Sequence, residues 1–307
     1  MQFPDIAPWA WIPIVVWAAF AQTIRNATQR TLVSSLGTLS ATLVRFLYGL
    51  PFAAAWLLLA YRFTGAPMML PDFTAVYAGW LVLGAVSQLA ATACLLMAME
   101  QRNFIVGVTF SKTEVLQVGI FATLFLHELP TVLSGIAMLV ATLGVVLLSW
   151  PRKSKADPGG WAGNAAWFGL ASGACFALSS VGYRGAALQW GGTSAWLTGA
   201  WLVLLAQLLQ SVLLGGYLAL SAPGALAAIA KAWRLSMLAG MMGALASVGW
   251  LTAVALRPAG DVRTLGLVEV LFSYLVSRRL FKERMSRNEL AGLVLVGAGV
   301  LVVCAQM

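Results

Sequence analysis

Five charged residues lie inside long apolar stretches of this 307-residue chain and are the first candidates for chemistry. They are Arg25, Arg45, Lys112, Glu114 and Glu269. A charge at the centre of a membrane helix costs about 2.5 to 3.5 kcal/mol on insertion scales, so each should face a partner, the bundle interior or water. Carboxylates and guanidinium groups bind ammonium and carboxylate groups through charge-assisted hydrogen bonds. These residue types therefore predict a buried polar site of mixed charge.

The two glutamates occupy equivalent positions of an internal duplication. A shift of the chain by 155 positions aligns three sets of residues: Glu114-Val115-Leu116 with Glu269-Val270-Leu271, Glu128 with Glu283, and Gly144-Val145 with Gly299-Val300. Each copy holds an odd number of predicted spans, so the second copy must cross the membrane in the opposite sense. Such inverted repeats are typical of carriers, whose substrate sites lie near the midplane between the repeats.

Helical spacing assigns further polar residues to faces. Ser111, Glu114 and Gln117 share one face of the fourth predicted helix, whereas Lys112 points nearly opposite, which favours snorkelling of its ammonium to a surface. Polar stripes on the second and third helices add Tyr48, beside Arg45, and Gln88. A wet face on the first helix contains Gln22, Arg25, Asn26 and Gln29. The predicted substrate-binding set takes Gln88 and Tyr48 together with Glu114, Glu269 and Arg45.

Two aromatic residues, Trp17 and Trp250, lie deep in predicted spans and complete the candidate site. Either could stack on a substrate, although packing is the commoner role of an isolated deep aromatic residue. The charges also have a structural alternative, because an ion pair such as Arg45 with Glu114 would fix helix register without touching a substrate.

The elements that must position these residues follow from composition. The chain is 61% hydrophobic and 9% charged, whereas soluble proteins carry about 25% charged residues. Ten apolar stretches are centred near residues 9–30, 36–60, 75–98, 104–126, 132–150, 164–184, 195–219, 234–256, 262–280 and 289–305. We predict an all-α integral membrane protein of ten transmembrane helices, built as two inverted five-helix repeats around a central cavity. The repeats are 1–150 and 164–307, joined by a cytoplasmic hinge loop at 151–163.

The net charge of +9 orients the chain rather than recruiting nucleic acid. Twelve Lys and Arg residues lie in one alternate set of loops, and the opposite set holds four, Arg62, Arg184, Arg257 and Arg263. This positive-inside bias predicts that both termini lie outside the cytoplasm. The expected partners are the lipid bilayer and a small-molecule substrate.

Enzymatic and metal chemistry are not indicated. The three cysteines lie in apolar spans, the one histidine, His127, has a loop position, and no HExxH, GxSxG or P-loop is present. We expect no enzyme activity, no metal and no cofactor; a channel is ranked below a carrier, because a channel does not ordinarily need an inverted duplication. Glycines between Gly135 and Gly144 and at Gly292, Gly297 and Gly299 permit close packing of helices, within the chain or across a homodimer.

Two motifs carry a resemblance. His127-Glu128-Leu129-Pro130 closes the fourth predicted helix, Lys282-Glu283-Arg284-Met285 closes the ninth, and Gly144 and Gly299 each follow sixteen residues after the glutamate. With ten helices and Trp17 in the first, the chain resembles the EamA-type drug/metabolite transporters. That resemblance implies a basket-like bundle in a bacterial inner membrane that exports amino acids or other metabolites, with aromatic amino-acid exporters as a plausible neighbour. The family often has a proline midway along the fourth and ninth helices, where this chain has Glu114 and Glu269.

The function expected from these observations is secondary transport by alternating access. A mixed-sign site suits a zwitterion, because Arg45 could bind a carboxylate and a glutamate could bind an ammonium, and amino acids have both groups. Either glutamate could also carry a proton in exchange for substrate. The alternative is an exporter of cationic drugs or quaternary amines, in which the glutamates and aromatic residues form a cation box and Arg45 is structural.

Overall fold

The computed structural model describes residues 7, 9–68, 74–101, 104–148, 164–190, 194–279 and 287–305, and over these residues the chain is all-helical. The helices are α1 (Trp11–Leu36), α2 (Thr38–Leu47), α3 (Leu50–Thr64), α4 (Ala75–Gln101), α5 (Phe104–Ser111), α6 (Glu114–Leu126), α7 (Val132–Leu148), α8 (Asn164–Gln189), α9 (Ala195–Ser221), α10 (Ala225–Lys231), α11 (Trp233–Leu256), α12 (Ala259–Leu265), α13 (Val268–Arg279) and α14 (Arg287–Cys304). The predicted hinge loop and Glu283 lie outside the described residues.

Among the described residues, five segments are long and apolar enough to cross a membrane. They are Thr38–Thr64, Ala75–Gln101, Asn164–Gln189, Ala195–Ser221 and Trp233–Leu256. Large apolar side chains such as Leu58, Leu124 and Val212 are exposed, whereas Arg25 and Arg45 are buried. Apolar groups outside and charged groups inside are the arrangement expected of an all-α membrane protein.

The long helices pack in close pairs. α4 lies along α8, α1 along α11, and α7 against α14. A methyl group at Gly182 of α8 would lie 2.6 Å from the backbone nitrogen of Gly84 in α4, and one at Gly249 of α11 would lie 2.7 Å from the Cβ atom of Ala18 in α1. These glycines let the helix backbones approach closely, which is the usual source of stability between membrane helices.

The α7–α14 pair uses glycines that stand out in the sequence. A Cβ atom at Gly144 would lie 2.6 Å from the Gly292 carbonyl oxygen, and one at Gly299 would lie 2.7 Å from the Ala141 Cβ atom. The packing role of these three glycines is therefore confirmed. A methyl group added at Gly135 or at Gly297 would meet nothing within 4 Å, and the homodimer stays a prediction.

The fourth and ninth predicted helices are each divided into two, with the break just before the glutamate. Between α5 and α6, the amides of Lys112 and Thr113 donate to the carbonyls three residues earlier, and the hydroxyls of Ser111 and Thr113 also bond back to α5. Between α12 and α13, Leu267 and Glu269 make the same three-residue bonds. This tighter turn interrupts the regular ladder without a proline.

Helix bounds recur along the chain at the offset of the duplication. Phe104 opens α5 and Ala259 opens α12, 155 positions later; Val132 opens α7 and Arg287 opens α14 at the same distance. The second predicted helix departs from this correspondence, because it is divided at Tyr48-Gly49 whereas α9 is continuous. Pro51, at the start of α3, cannot donate to the ladder of α2, which accounts for the division.

Candidate functional site

Glu269, in the first turn of α13, is the most highly coordinated buried carboxylate among the described residues. Its Oε2 atom accepts from Lys112 Nζ at 2.5 Å and Gln22 Nε2 at 2.6 Å, and its Oε1 atom accepts from Asn26 Nδ2 at 2.9 Å. The side chain is 1% exposed. Two donors come from α1 and one from the α5–α6 turn, so this carboxylate joins the two halves of the chain.

The prediction that Lys112 points away from Glu114 and snorkels is wrong. Lys112 is buried, and its Nζ atom lies 3.5 Å from Glu114 Oε1 as well as bonding Glu269. The prediction assumed a continuous helix with about 100° between successive residues. Because the ladder tightens at Lys112-Thr113, that angle does not hold there, and the ammonium turns inward.

Glu114 differs from its sequence equivalent. Its Oε1 atom lies 3.5 Å from Lys112 Nζ and 3.7 Å from Arg263 Nη1, and both contacts are longer than those that Glu269 makes. Its Oε2 atom is buried and has no hydrogen-bond partner among the described residues. Glu269 is thus saturated by donors, whereas Glu114 keeps an acceptor oxygen available. The ion contacts of Glu114 are with Lys112 and Arg263 rather than with Arg45.

Arg263, predicted from the charge distribution to lie in an outer loop, is a buried member of the site. It is 5% exposed, its Nε atom donates to Ser180 Oγ at 2.7 Å, and its Cζ atom lies 4.7 Å from the centre of the Trp250 ring. Trp250 in turn donates from Nε1 to Gln22 Oε1 at 2.9 Å. The sequence does contain a signal for this burial, because Arg263 lies inside the predicted span 262–280.

Arg25 and Arg45 lie on different helices but share one contact. They are 0% and 1% exposed. Two nitrogens of Arg25 donate to the Asn26 Oδ1 atom, and Arg45 Nη1 donates to Thr92 Oγ1 at 2.7 Å. A Cβ atom at Gly243 of α11 would lie 3.0 Å from Arg45 Cγ and 3.3 Å from Arg25 Cδ, so both aliphatic stems pack over the same glycine.

Six charged residues therefore define what we call the central cluster: Arg25, Arg45, Lys112, Glu114, Arg263 and Glu269. They come from α1, α2, the α5–α6 turn, α6, α12 and α13. The half-helices α6 and α13 each carry their glutamate in the first turn, where the positive end of the helix dipole favours a carboxylate. The predicted convergence of Glu114, Glu269 and Trp250 is thus found, with Arg45 beside them.

Gln88 joins the cluster through a second, neutral network. Its Oε1 atom accepts from Tyr183 OH and from Gln210 Nε2, both at 2.9 Å, and its backbone oxygen accepts from the Thr92 hydroxyl that bonds Arg45. Gln210 was not among the residues predicted from the sequence. An amide in the middle of the apolar α9 segment was the signal that could have found it.

Trp17 and Tyr48 are placed away from the central cluster. Trp17 is 47% exposed and packs on Phe20, with 5.9 Å between ring centres. Tyr48 lines an apolar cavity of about 300 Å³ beside α10, and its hydroxyl lies 3.4 Å from the Ile229 carbonyl oxygen. The structure does not bring either side chain together with the two glutamates.

A second ion pair, which is partly buried, lies at the ends of the helices. Arg184 of α8, predicted as a loop residue, is 7% exposed and lies 2.7 Å from Glu128 Oε1. Its Nη1 atom donates to the carbonyl oxygens of Val254 at 2.8 Å and Ala255 at 3.1 Å, at the end of α11. Arg184 thus joins α8, the α6–α7 connection and α11. We call Arg184, Glu128 and the carbonyl groups of Val254 and Ala255 the end clamp.

Comparison with known proteins gives the fold but no family. No family model matches the chain, and no curated protein matches it. A solved structure described only as a crystal structure of a protein is similar over 94% of this chain and 99% of its own, with a TM-score of 0.60 and 15% identity. At that identity the likeness extends to the arrangement of helices and no further.

Proposed function

We propose that this chain is a secondary transporter that moves small metabolites across a membrane by alternating access, with the central cluster as its substrate site. The observation that carries the proposal is that Lys112, Glu114, Arg263 and Glu269, from both halves of the chain, meet at the breaks before α6 and α13. Two further buried charges, Arg25 and Arg45, lie on α1 and α2. Broken helices at matching positions of two repeats are where carriers build their sites, because the helix ends supply dipoles and unpaired backbone groups.

The helix pairing supports the inverted-repeat part of this proposal. The 155-residue shift aligns α1 with α8 and α4 with α11. It therefore exchanges the α4–α8 pair with the α1–α11 pair. An exchange of this kind is expected when two like halves face each other across a pseudo-two-fold axis. We therefore propose ten transmembrane spans with both termini outside the cytoplasm. We also propose that the chain is an EamA-type transporter of the bacterial inner membrane.

Amino acids remain the first substrate class. Glu114 has an acceptor oxygen without a hydrogen bond, which suits an ammonium, and Arg45 has only a neutral partner, which suits a carboxylate. These charge-assisted bonds are stronger where water is excluded. Glu269 would then hold the two halves in register rather than touch the substrate.

The cationic-drug alternative receives less support. A cation box needs the open face of an aromatic ring, yet the guanidinium of Arg263 already lies 4.7 Å from the centre of the Trp250 ring. A bound cation would also sit among four buried cations of the central cluster.

The proposal is tested by counterflow of labelled amino acids in proteoliposomes. Wild-type protein should show saturable exchange, and Glu114→Gln and Arg45→Ala should abolish it. Arg62→Gln is the matched control, because Arg62 lies on the exposed end of α3. Folded protein that exchanges neither amino acids nor other small metabolites would refute a carrier, and flux that neither saturates nor shows counterflow would indicate a channel.

A further inference from the structure

The charges of the central cluster do not balance. Lys112 has ion contacts with Glu114 and Glu269, and Arg263 has one with Glu114. Arg25 and Arg45 make their described hydrogen bonds only to neutral atoms, the Asn26 amide oxygen and the Thr92 hydroxyl. Four cations therefore face two carboxylates, and two buried guanidinium groups remain without a carboxylate of their own among the described residues.

Both guanidinium groups also keep unused hydrogen-bonding capacity. Arg25 Nη1 and Arg45 Nε are buried and have no hydrogen-bond partner among the described residues. Their aliphatic stems pack over the same glycine, Gly243, so the two side chains are neighbours. Burying two like charges side by side is unfavourable unless an anion offsets them.

We propose that Arg25 and Arg45 form an anion-binding pair and that the substrate is a small molecule with two carboxylate groups, acidic amino acids included. This inference rests on the carrier proposed above and narrows its substrate class. Each carboxylate would make a charge-assisted hydrogen bond with one guanidinium. A dicarboxylate without an ammonium offsets both excess charges, and an acidic amino acid, with a net charge of −1, offsets one of them. A neutral zwitterion would leave the excess positive charge in place, and a cation would increase it.

Gly243 fits this role as a spacer. A side chain at that position would press on the stems of both arginines, at 3.0 Å from Arg45 Cγ and 3.3 Å from Arg25 Cδ. Glycine there lets the two stems lie against the α11 backbone, so that both guanidinium groups are held by the same helix. Asn26 orients Arg25, because it accepts from the guanidinium with Oδ1 while donating to Glu269 with Nδ2.

The test is thermal unfolding of the purified full-length chain in detergent at constant ionic strength. The probes are succinate and L-glutamate, which carry two carboxylates, against acetate, L-leucine and choline. We expect a saturable rise in Tm with at least one of the two dicarboxylates and a smaller response, or none, with the other three. A larger response to L-leucine or choline, or no response to either dicarboxylate, would overturn the proposal.

Variants assign the response to the two arginines. Arg25→Gln and Arg45→Gln should each raise the apparent Kd of the dicarboxylate by about tenfold or more, and Arg45→Lys should retain part of the binding. The control Arg62→Gln should respond like the wild type. Unliganded Arg45→Gln should unfold at no lower temperature than the wild type, since it removes an uncompensated buried charge. A lower Tm in that unliganded variant would assign Arg45 to the fold instead.

Transport measurements separate this inference from the proposed function. Saturable binding of a dicarboxylate by a protein that exchanges nothing across vesicles would leave the anion site standing and refute the carrier. Exchange of neutral amino acids by a protein that ignores both dicarboxylates would leave the carrier standing and refute the anion site.

Discussion

Two glutamates that the duplication makes equivalent have acquired different surroundings. Glu269 accepts three short hydrogen bonds, one of them from Lys112, whereas Glu114 has only ion contacts of 3.5 Å and 3.7 Å. Removing one partner of a buried ion pair leaves the other charge uncompensated, and that loss exceeds the net gain from the intact pair. The two residues should therefore respond differently to the same substitution.

We expect Glu269→Gln to lower the free energy of unfolding by about 3 to 5 kcal/mol, because Lys112 would lose its shortest ion contact. Glu114→Gln should cost clearly less. The measurement is denaturant unfolding of the purified protein, followed by tryptophan fluorescence. The double variant Lys112→Met/Glu269→Gln should recover much of the loss, since it removes the stranded charge. Equal losses in the two single variants would contradict the assigned difference.

At the scale of single elements, the sequence predicted where helices lie but not where they break. The apolar stretches near 164–184 and 234–256 correspond to α8 (Asn164–Gln189) and α11 (Trp233–Leu256). Hydrophobicity and length are sufficient to predict these two helices, because a membrane span must be long and apolar. The breaks at Lys112 and Gly266 depend on a change from four-residue to three-residue hydrogen bonds, which leaves no hydrophobic pattern.

For the same reason, the sequence does not predict the direction of the side chains near the breaks. Residue type, depth and the 155-residue correspondence predict Glu114 and Glu269, whereas the predicted direction of Lys112 and the predicted loop position of Arg263 are wrong. Trp17, predicted from its depth in the first helix as well as from the resemblance, is 47% exposed. The two carboxylates of the site can thus be predicted from the sequence, whereas the positions of the cations around them depend on the path of the backbone.

The turn between α12 and α13 packs tightly against Trp250. A Cβ atom at Gly266 would lie 2.5 Å from Trp250 Cη2, and Trp250 bonds the Gln22 side chain that donates to Glu269. We expect Gly266→Ala to cost about 1 to 3 kcal/mol of stability by overpacking and to reduce counterflow. Gly297→Ala is the matched control, because its Cβ atom would meet nothing within 4 Å. Unchanged exchange in Gly266→Ala would separate Trp250 from the site.

For the whole molecule, the burial of Arg263 in the central cluster changes the predicted distribution of charge. The positive-inside rule concerns charges near the ends of spans. One of the four residues counted against the predicted orientation therefore no longer opposes it, whereas Arg62, Arg184 and Arg257 still do. Each member of the central cluster is at most 5% exposed.

In the proposed alternating-access cycle, we expect release of the end clamp to open one side of the molecule. Arg184 fastens three elements through Glu128 and the carbonyl oxygens of Val254 and Ala255. In Glu128→Gln the guanidinium loses its counter-ion, so we expect faster amide exchange in residues 127–134 and 254–261. Hydrogen exchange read by mass spectrometry measures this, with Arg62→Gln as control. Residues 225–231, which form α10, should keep their wild-type rates, because the proposed alternating access would open one side while the other stays closed. Faster exchange in both places would mean that the pair stabilises the whole fold rather than one gate.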